Sequence, residues 1–343
     1  MHFKIGIIGL GRQTIEEHIP AINLIDNVTI EAICDIDEQR VDEARKYLSA
    51  NCKPSEYLSY QEMFDETELN FVVVSLPHDQ YLNCIKRAAE RQIHILKEKP
   101  FARTPEEAEI IFSLIEKYNI KVMTACQRRY HPLYLEFQEN MRLLGEIKWI
   151  EARYTIPSKK PNAGWRSQKK TAGGGVMLDM GYHILDIIMW FFDPLNQVYA
   201  LTLNHRPHVY QVEDTAFIKF KTNKYKNPEQ IIDGSIFISC IYPEKNDELT
   251  IIGENGTAKL SPKKFTYWDN SQNIIINKVS KSSDDWLEAS KEQILEFMDA
   301  ILSPDWKSFF GNPHFQYRNH VPLIKALYES SEVHNPVDVK QNL

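Results

Sequence analysis

A chain of 343 residues with 43% hydrophobic and 25% charged residues is long enough for two domains with separate cores, and it has an ordinary globular make-up. Its net charge of −7 excludes a general basic footprint, so no nucleic-acid partner is expected. Five scattered cysteines, with no C-x-x-C pair, exclude a disulfide framework and a zinc site, and no metal is expected.

The opening MHFKIGIIGLG runs directly into a strand, without the basic and apolar segments of a signal peptide. The longest apolar stretch is short and broken by charges, so no membrane span is expected, and the scattered cysteines read as reduced thiols in a cytoplasm. Strands are expected over 3–8, 28–35, 71–76, 93–96 and 120–125. Helical patterns lie between them: one through Ile15, Ile19 and Ile22, one over 38–50, and one over 79–91. Thr104-Pro105-Glu106-Glu107 is a helix start, with Thr104 as cap, Pro105 in the first turn and Glu107 completing a capping box. Strands alternating with helices predict a parallel sheet, and the unbroken FVVVSL run suits a strand buried on both faces.

After about residue 126 the texture changes. A helix over 133–144 and a strand over 147–155 precede a loop over 157–175 rich in Lys, Pro and Gly. A helix over 176–191 follows, stopped by Asp193-Pro194. Strand-like segments at 198–204, 213–221, 231–241, 248–253 and 257–260 have no helices between them, which predicts a mostly antiparallel sheet. Helical patterns at 285–302 and 316–332 close the chain. The fold class is α/β, a nucleotide-type domain followed by an α+β domain.

The loop G-L-G-R-Q-T at 9–14 follows a strand and opens a helix, the setting in which glycines admit a pyrophosphate to a helix N-terminus. Gly9, Gly11, Arg12 and Gln13 are the cofactor-binding candidates there; Thr14 stands where a third glycine is usual. Asp35 ends the second strand, where a carboxylate accepts both ribose hydroxyls and repels a 2′-phosphate. With no arginine directly after it, NAD is expected rather than NADP. LKEKPF at 96–101 follows another strand, and Pro100 restricts Lys99 to extended geometry. Its charges are either ligand-directed at the carboxyl end of the sheet or solvated in a surface turn.

In GGGVMLDMGYHILD, 173–186, helical spacing puts Asp179, His183 and Asp186 on one stripe of an otherwise apolar helix. Asp186 is read as orienting His183 or bonding nearby backbone. Gly173, Gly174 and Gly175 are read as letting backbone pass close to a ligand, and Gly181 as permitting close packing. Between Glu151 and Gly175, Arg153, Lys159, Lys160, Arg166, Lys169 and Lys170 oppose a single acid, with Arg128 and Arg129 shortly before. This excess is either a pocket for an anionic sugar or a solvated loop.

Together these segments resemble the Gfo/Idh/MocA oxidoreductase family, in order and over nearly the whole chain. The resemblance rests on the 9–14 loop, His18-Ile19-Pro20-Ala21, Asp35, Glu98-Lys99-Pro100, Arg128-Arg129-Tyr130 and Trp165-Arg166. It continues through the pattern at 174–186, Glu213-Asp214-Thr215 and Gly253 to Thr257. It implies a Rossmann domain over 1–125 and a substrate-binding and oligomerisation domain over 126–343, with a large open sheet through which dimers or tetramers form. It also implies an alcohol–ketone redox step on a sugar, cyclitol or sugar derivative, with Lys99, Asp179 and His183 as catalytic centre. Cofactor contacts are implied at Gly9, Gly11, Arg12, Gln13, Asp35, Leu76, Pro77, His78, Glu98 and Lys99. Substrate contacts are implied at Lys99, Arg128, Trp165, Arg166, Asp179 and His183. Where the family often carries T-P-N-x-x-H, this chain has Leu76-Pro77-His78 and Tyr81, so backbone contacts are expected there. In this scheme His183 is acid and base, Asp179 tunes it, and Lys99 donates to the substrate oxygen. Two further readings stand beside it: an oxidoreductase or redox-assisted lyase that retains its cofactor, and a non-catalytic nucleotide-binding regulator.

Overall fold

The computed structural model describes residues 1–158, 164–224, 227–280, 284–304 and 310–341. The chain divides into two compact units, Met1–Gln127 with Trp286–Tyr317, and Arg128–Asp285 with Arg318–Leu343.

In the first unit the strands are β1 (Phe3–Ile8), β2 (Val28–Cys34), β3 (Ser55–Tyr57), β4 (Phe71–Val74), β5 (His94–Lys97) and β6 (Val122–Thr124). They form a six-stranded sheet in the order β3-β2-β1-β4-β5-β6, with every pairing parallel. All four residues of β4 are buried, as its continuous apolar sequence requires of a central strand covered on both faces. The strand order reverses between β1 and β4, and the carboxyl edge at such a point is where open α/β sheets bind ligands. The helix Pro105–Tyr118 begins as its sequence dictates, with the Thr104 hydroxyl accepting the Glu107 N–H.

The division of the chain differs from a single cut near residue 126. Ile294, Phe297 and Met298 share the core of Phe3, Ile5, Ile7 and Phe71, with the Phe297 ring edge-on to Phe71 at 5.3 Å. The Cys126 N–H also donates to Gln293 Oε1 at 2.7 Å, and Thr124 N–H to the Gly311 carbonyl at 2.9 Å. An amphipathic helix declares its apolar stripe in sequence but not which sheet that stripe covers.

The second unit holds β7 (Ile147–Thr155), β8 (Gln197–Leu203), β9 (Thr215–Lys224), β10 (Asn227–Ser239), β11 (Asn246–Gly253), β12 (Gly256–Leu260), β13 (Lys264–Asp269), β14 (Ile274–Val279) and β15 (Val337–Asp338). The sheet order is β14-β13-β12-β11-β7-β10-β9-β8-β15. It is antiparallel except for the parallel β7–β10 pair. The edge strands β14 and β15, and β13 beside β14, add to the segments expected from sequence. Every residue of β14 is at least partly exposed, so it shows no alternation of apolar and polar positions.

The register places Leu201 opposite Phe217, Phe217 opposite Phe237, and Phe237 opposite Arg153, in one row across β8, β9, β10 and β7. Leu201 and Phe217 are exposed there, so this face keeps apolar surface, whereas the alternate row of Ala200, Ile218, Ile236 and Ala152 is buried. The helix expected over 176–191 appears as Val176–Asp179 and Gly181–Phe191, with a turn at Met180 between them. A Cβ on Gly181 would stand 2.8 Å from Ile238 Cδ1, so this glycine lets the helix approach β10 closely. No helix among the described residues is long and apolar enough to cross a membrane.

Candidate functional site

In the first unit three segments gather at the carboxyl ends of the neighbouring strands β1, β4 and β5. Gly9 has φ +84°, and a Cβ there would lie 2.2 Å from the Ser75 carbonyl oxygen, so only glycine fits. Around Gly11 a Cβ would meet nothing within 4 Å. Chain packing therefore leaves room at Gly11 for close approach from outside, which a pyrophosphate at a helix N-terminus requires. Thr14 closes the loop by donating from its hydroxyl to the Gly9 carbonyl at 2.6 Å. Arg12 extends into solvent and pairs with Glu16 at 2.8 Å; Gln13 bonds Glu17. The loop and these residues fit a dinucleotide.

Asp35 does more than end its strand. Its Oδ2 accepts the Leu10 N–H at 2.8 Å and its Oδ1 the Asp37 N–H at 3.0 Å, stitching the glycine loop to the end of β2. Each oxygen has a second acceptor direction left for a ribose hydroxyl. The fold also brings Arg40 Nη1 to 3.7 Å from Asp35 Oδ2, a neighbour that adjacency in sequence did not show.

Beyond β4, Leu76 and Pro77 are half-buried, and His78 is buried with its ring stacked on Tyr81 at 5.9 Å. Beyond β5, the reading of the EKP stretch as a solvated turn does not hold. Lys97 is only 1% exposed and its ammonium lies 3.9 Å from the centre of the Tyr81 ring. Burial pushes Lys97 down to about 7, although Glu98 acts in the opposite sense. The Glu98 carboxylate is buried too, and its Oε1 accepts from His18 Nε2 and from Gln127 Nε2, both at 3.0 Å. Lys99, next in line, is half-exposed, and the Lys99–Pro100 peptide is cis.

In the second unit the structure brings Trp165, Arg166, Tyr154, Asp179 and His183 together. Arg166 lies over the Trp165 ring at 4.3 Å and places its Nε 3.5 Å from Asp179 Oδ2. The Tyr154 ring stands edge-on to His183 at 6.5 Å. Asp179 and His183 are half-buried, so both remain open to a ligand. The arrangement offers a cationic donor, an anionic acceptor, an imidazole able to move a proton, and an aromatic wall.

Two predicted residues turn inward. Arg128, expected to contact substrate, is buried and paired in bidentate fashion with Asp247 at 2.7 and 2.8 Å. Its guanidinium also lies over the Tyr154 ring at 4.9 Å, so it supports the wall beside His183. Asp186, expected to orient His183, instead accepts two bonds from Arg129 at 2.8 and 2.6 Å and lies 3.1 Å from His320 Nε2. Burial opposes the charge on Asp186, but Arg129 and His320 together hold its carboxyl well below the usual carboxylate range.

The glycines before the helix also have a different task from the one expected. A Cβ on Gly174 would meet the Tyr328 hydroxyl at 1.8 Å, and one on Gly175 the Glu213 carbonyl oxygen at 2.0 Å. Gly174 makes room for Tyr328 and Gly175 for Glu213, whose carboxylate accepts the Met177 N–H at 3.0 Å and the Tyr328 hydroxyl at 2.9 Å, fastening the helix start. Lys169 and Lys170 are exposed on a short helix, while Lys159 and Lys160 lie outside the described residues.

A family model described as "Oxidoreductase family, NAD-binding Rossmann fold" matches residues 3–126, and one described as "GFO/IDH/MocA C-terminal domain" matches residues 141–259. The chain belongs to the Gfo/Idh/MocA family. Residues 3–126, within the first unit, are the family's NAD-binding Rossmann domain, and NAD is its cofactor. Among curated Gfo/Idh/MocA relatives, D-xylose 1-dehydrogenase (NADP(+)) 2 of Haloferax volcanii is 27% identical over 59% of this chain, a match that spans 61% of the relative's own length. Oxidoreductase P35 of Formosa agariphila is 25% identical over 75% of this chain and 78% of its own. The fold is also that of levoglucosan dehydrogenase in complex with NADH and L-sorbose, with a TM-score of 0.84, 19% identity and full coverage of both chains.

The Asp186 pair yields an acid-stability prediction. A carboxyl held below its unfolded value contributes stability that is complete above about pH 4 and is lost as pH falls toward the folded value. The urea midpoint should therefore drop on acidification below about pH 4, and less steeply in Asp186→Asn. At neutral pH that variant should lose about 3–5 kcal/mol, because Arg129 is left buried without its counter-charge. Equal midpoints for the two proteins at neutral pH would contradict this anchoring role.

Proposed function

We propose that the chain is an NAD-dependent dehydrogenase or reductase that interconverts a secondary alcohol and a ketone on a sugar or cyclitol. The observation that carries this reading is the grouping of Arg166, Asp179 and His183 over an aromatic wall in the family's C-terminal domain. A sugar presents adjacent hydroxyls that both donate and accept, and an Arg–Asp pair answers them with a donor and an acceptor. The names of its relatives, which include a D-xylose, a levoglucosan and a dihydrobenzene-diol dehydrogenase, support a hydroxylated ring as substrate.

In oxidation His183 takes the proton of the reacting hydroxyl, and in reduction it returns it. Such a base contributes about 10²–10⁴-fold in rate. Asp179, one turn earlier in the chain, binds a neighbouring substrate hydroxyl. Lys99 donates to the reacting oxygen and stabilises the alkoxide charge that develops there. Bound NAD supplies the redox equivalent. Trp165 and Arg166 hold the ring, and exposed Lys169 and Lys170 suit an anionic substituent where the substrate carries one. We also propose that a second copy covers the open sheet face along the Leu201, Phe217 and Phe237 row, where a monomer would leave apolar surface in water.

Lys99→Ala and His183→Ala should each lower turnover of NAD+ with aldoses, anhydrosugars and cyclitols by about 10²–10⁴-fold, and His183→Ala should leave NAD affinity at the wild-type value. Near-normal turnover in either variant would end the assignment. Tight NAD binding with no turnover across that panel would point to the regulator instead. In solution the native chain should be at least a dimer and Phe217→Glu a monomer; a monomeric native chain removes the sheet-face proposal.

A further inference from the structure

Lys97 has no part in the reaction outlined above, yet the fold treats it as a structural centre. It ends β5, between Val74 of β4 and Thr124 of β6, both buried. An apolar residue would suit that position better, because a cation withdrawn from water is costly unless it is fully partnered. The partners of Lys97 are specific. Its Nζ donates to the Glu98 carbonyl at 2.6 Å and to the Pro100 carbonyl, and the ammonium rests against the face of Tyr81.

Those two carbonyls bracket Lys99 in the chain, one directly before it and one on the residue after it. Tyr81 stands where the family often has a histidine, and it provides an aromatic face that carries no charge of its own. His78, stacked on Tyr81, backs that ring from the segment after β4. An ammonium has three N–H donors and a neutral amine keeps two, so both carbonyls stay bonded in either protonation state.

We propose that Lys97 is a positioning residue: its side-chain nitrogen clasps the carbonyls on both sides of Lys99 and fixes the turn from which Lys99 reaches the substrate, with Tyr81 as the floor of the clasp. The proposal rests on the reading of Lys99 as the donor to the reacting oxygen. Positioning of this kind matters because a displacement of about 1 Å at a reacting group costs on the order of 10²-fold in rate. A methionine at 97 would fill the space and make neither bond.

Amide hydrogen exchange of the full-length protein with NAD+ bound tests the clasp without any substrate. In Lys97→Met the amides of Lys99 and Phe101 should exchange at least about tenfold faster, while those of β1 and β4 stay at the wild-type rate. Unchanged exchange at Lys99 and Phe101 overturns the proposal. Tyr81→Leu, which leaves the lysine in place, carries the same comparison if Lys97→Met does not fold, and Tyr81→Phe should behave as wild type. Turnover with NAD+ and D-xylose or levoglucosan then separates positioning from general damage. Lys97→Met should lose about 10²-fold in kcat at unchanged NAD affinity, and Lys97→Met/Lys99→Ala should be no slower than Lys99→Ala alone. Losses that multiply in the double variant overturn the proposal. Normal turnover in Lys99→Ala would instead sink the reading of Lys99, and the exchange experiment would still judge the clasp.

Discussion

A charge taken out of water has to find its partner inside the protein, and this constraint sorts the charged residues of both units. At the end of β5, Lys97 and Glu98 are buried and satisfied by backbone carbonyls, His18 and Gln127. Lys99, next to them, is left half-exposed. On the helix after Gly175, Asp186 is buried against Arg129 and His320, while Asp179 and His183 remain open. In each unit a buried, paired charge fixes the element, and a half-exposed polar side chain on the same element lies within reach of a ligand.

The division has a functional logic. A catalytic group must hold its geometry closely, and a side chain is only as well placed as the backbone beneath it. Buried ion pairs give little net stability compared with an apolar core, but breaking one is costly, so they fix a register firmly. Asp186 does this for the His183 helix from its second turn, and Glu213 does it at the start through the Met177 N–H. Arg128, held by Asp247, does it for the wall that Tyr154 presents to His183.

Much of this was legible in the sequence because it is local. The alternation of strands and helices, the 9–14 loop, the Thr104 capping box and the stripe of Asp179 and His183 each lie within a short window. Partners were not legible where the chain closes over long separations. Arg129 and Asp186 are 57 residues apart and Arg128 and Asp247 are 119 apart, so Arg128 read as a substrate contact and Arg129 as part of a basic excess, when the fold uses both as anchors. Gly174 and Gly175 showed the need for close approach but not what approaches. The return of 286–317 to the first unit was hidden for the same reason, since Phe297 meets Phe71 across most of the chain.

We propose that the half-exposed charges, and not the buried ones beside them, meet the substrate. A crystal structure of the protein with NAD+ and a sugar that it turns over tests this most directly. The hydroxyl of the carbon to be oxidised should bond both the Lys99 ammonium and the His183 imidazole, with a neighbouring hydroxyl on Asp179. A sugar whose reacting hydroxyl faces neither Lys99 nor His183, or one held by Arg128 or Asp186 after their pairs have opened, would contradict it.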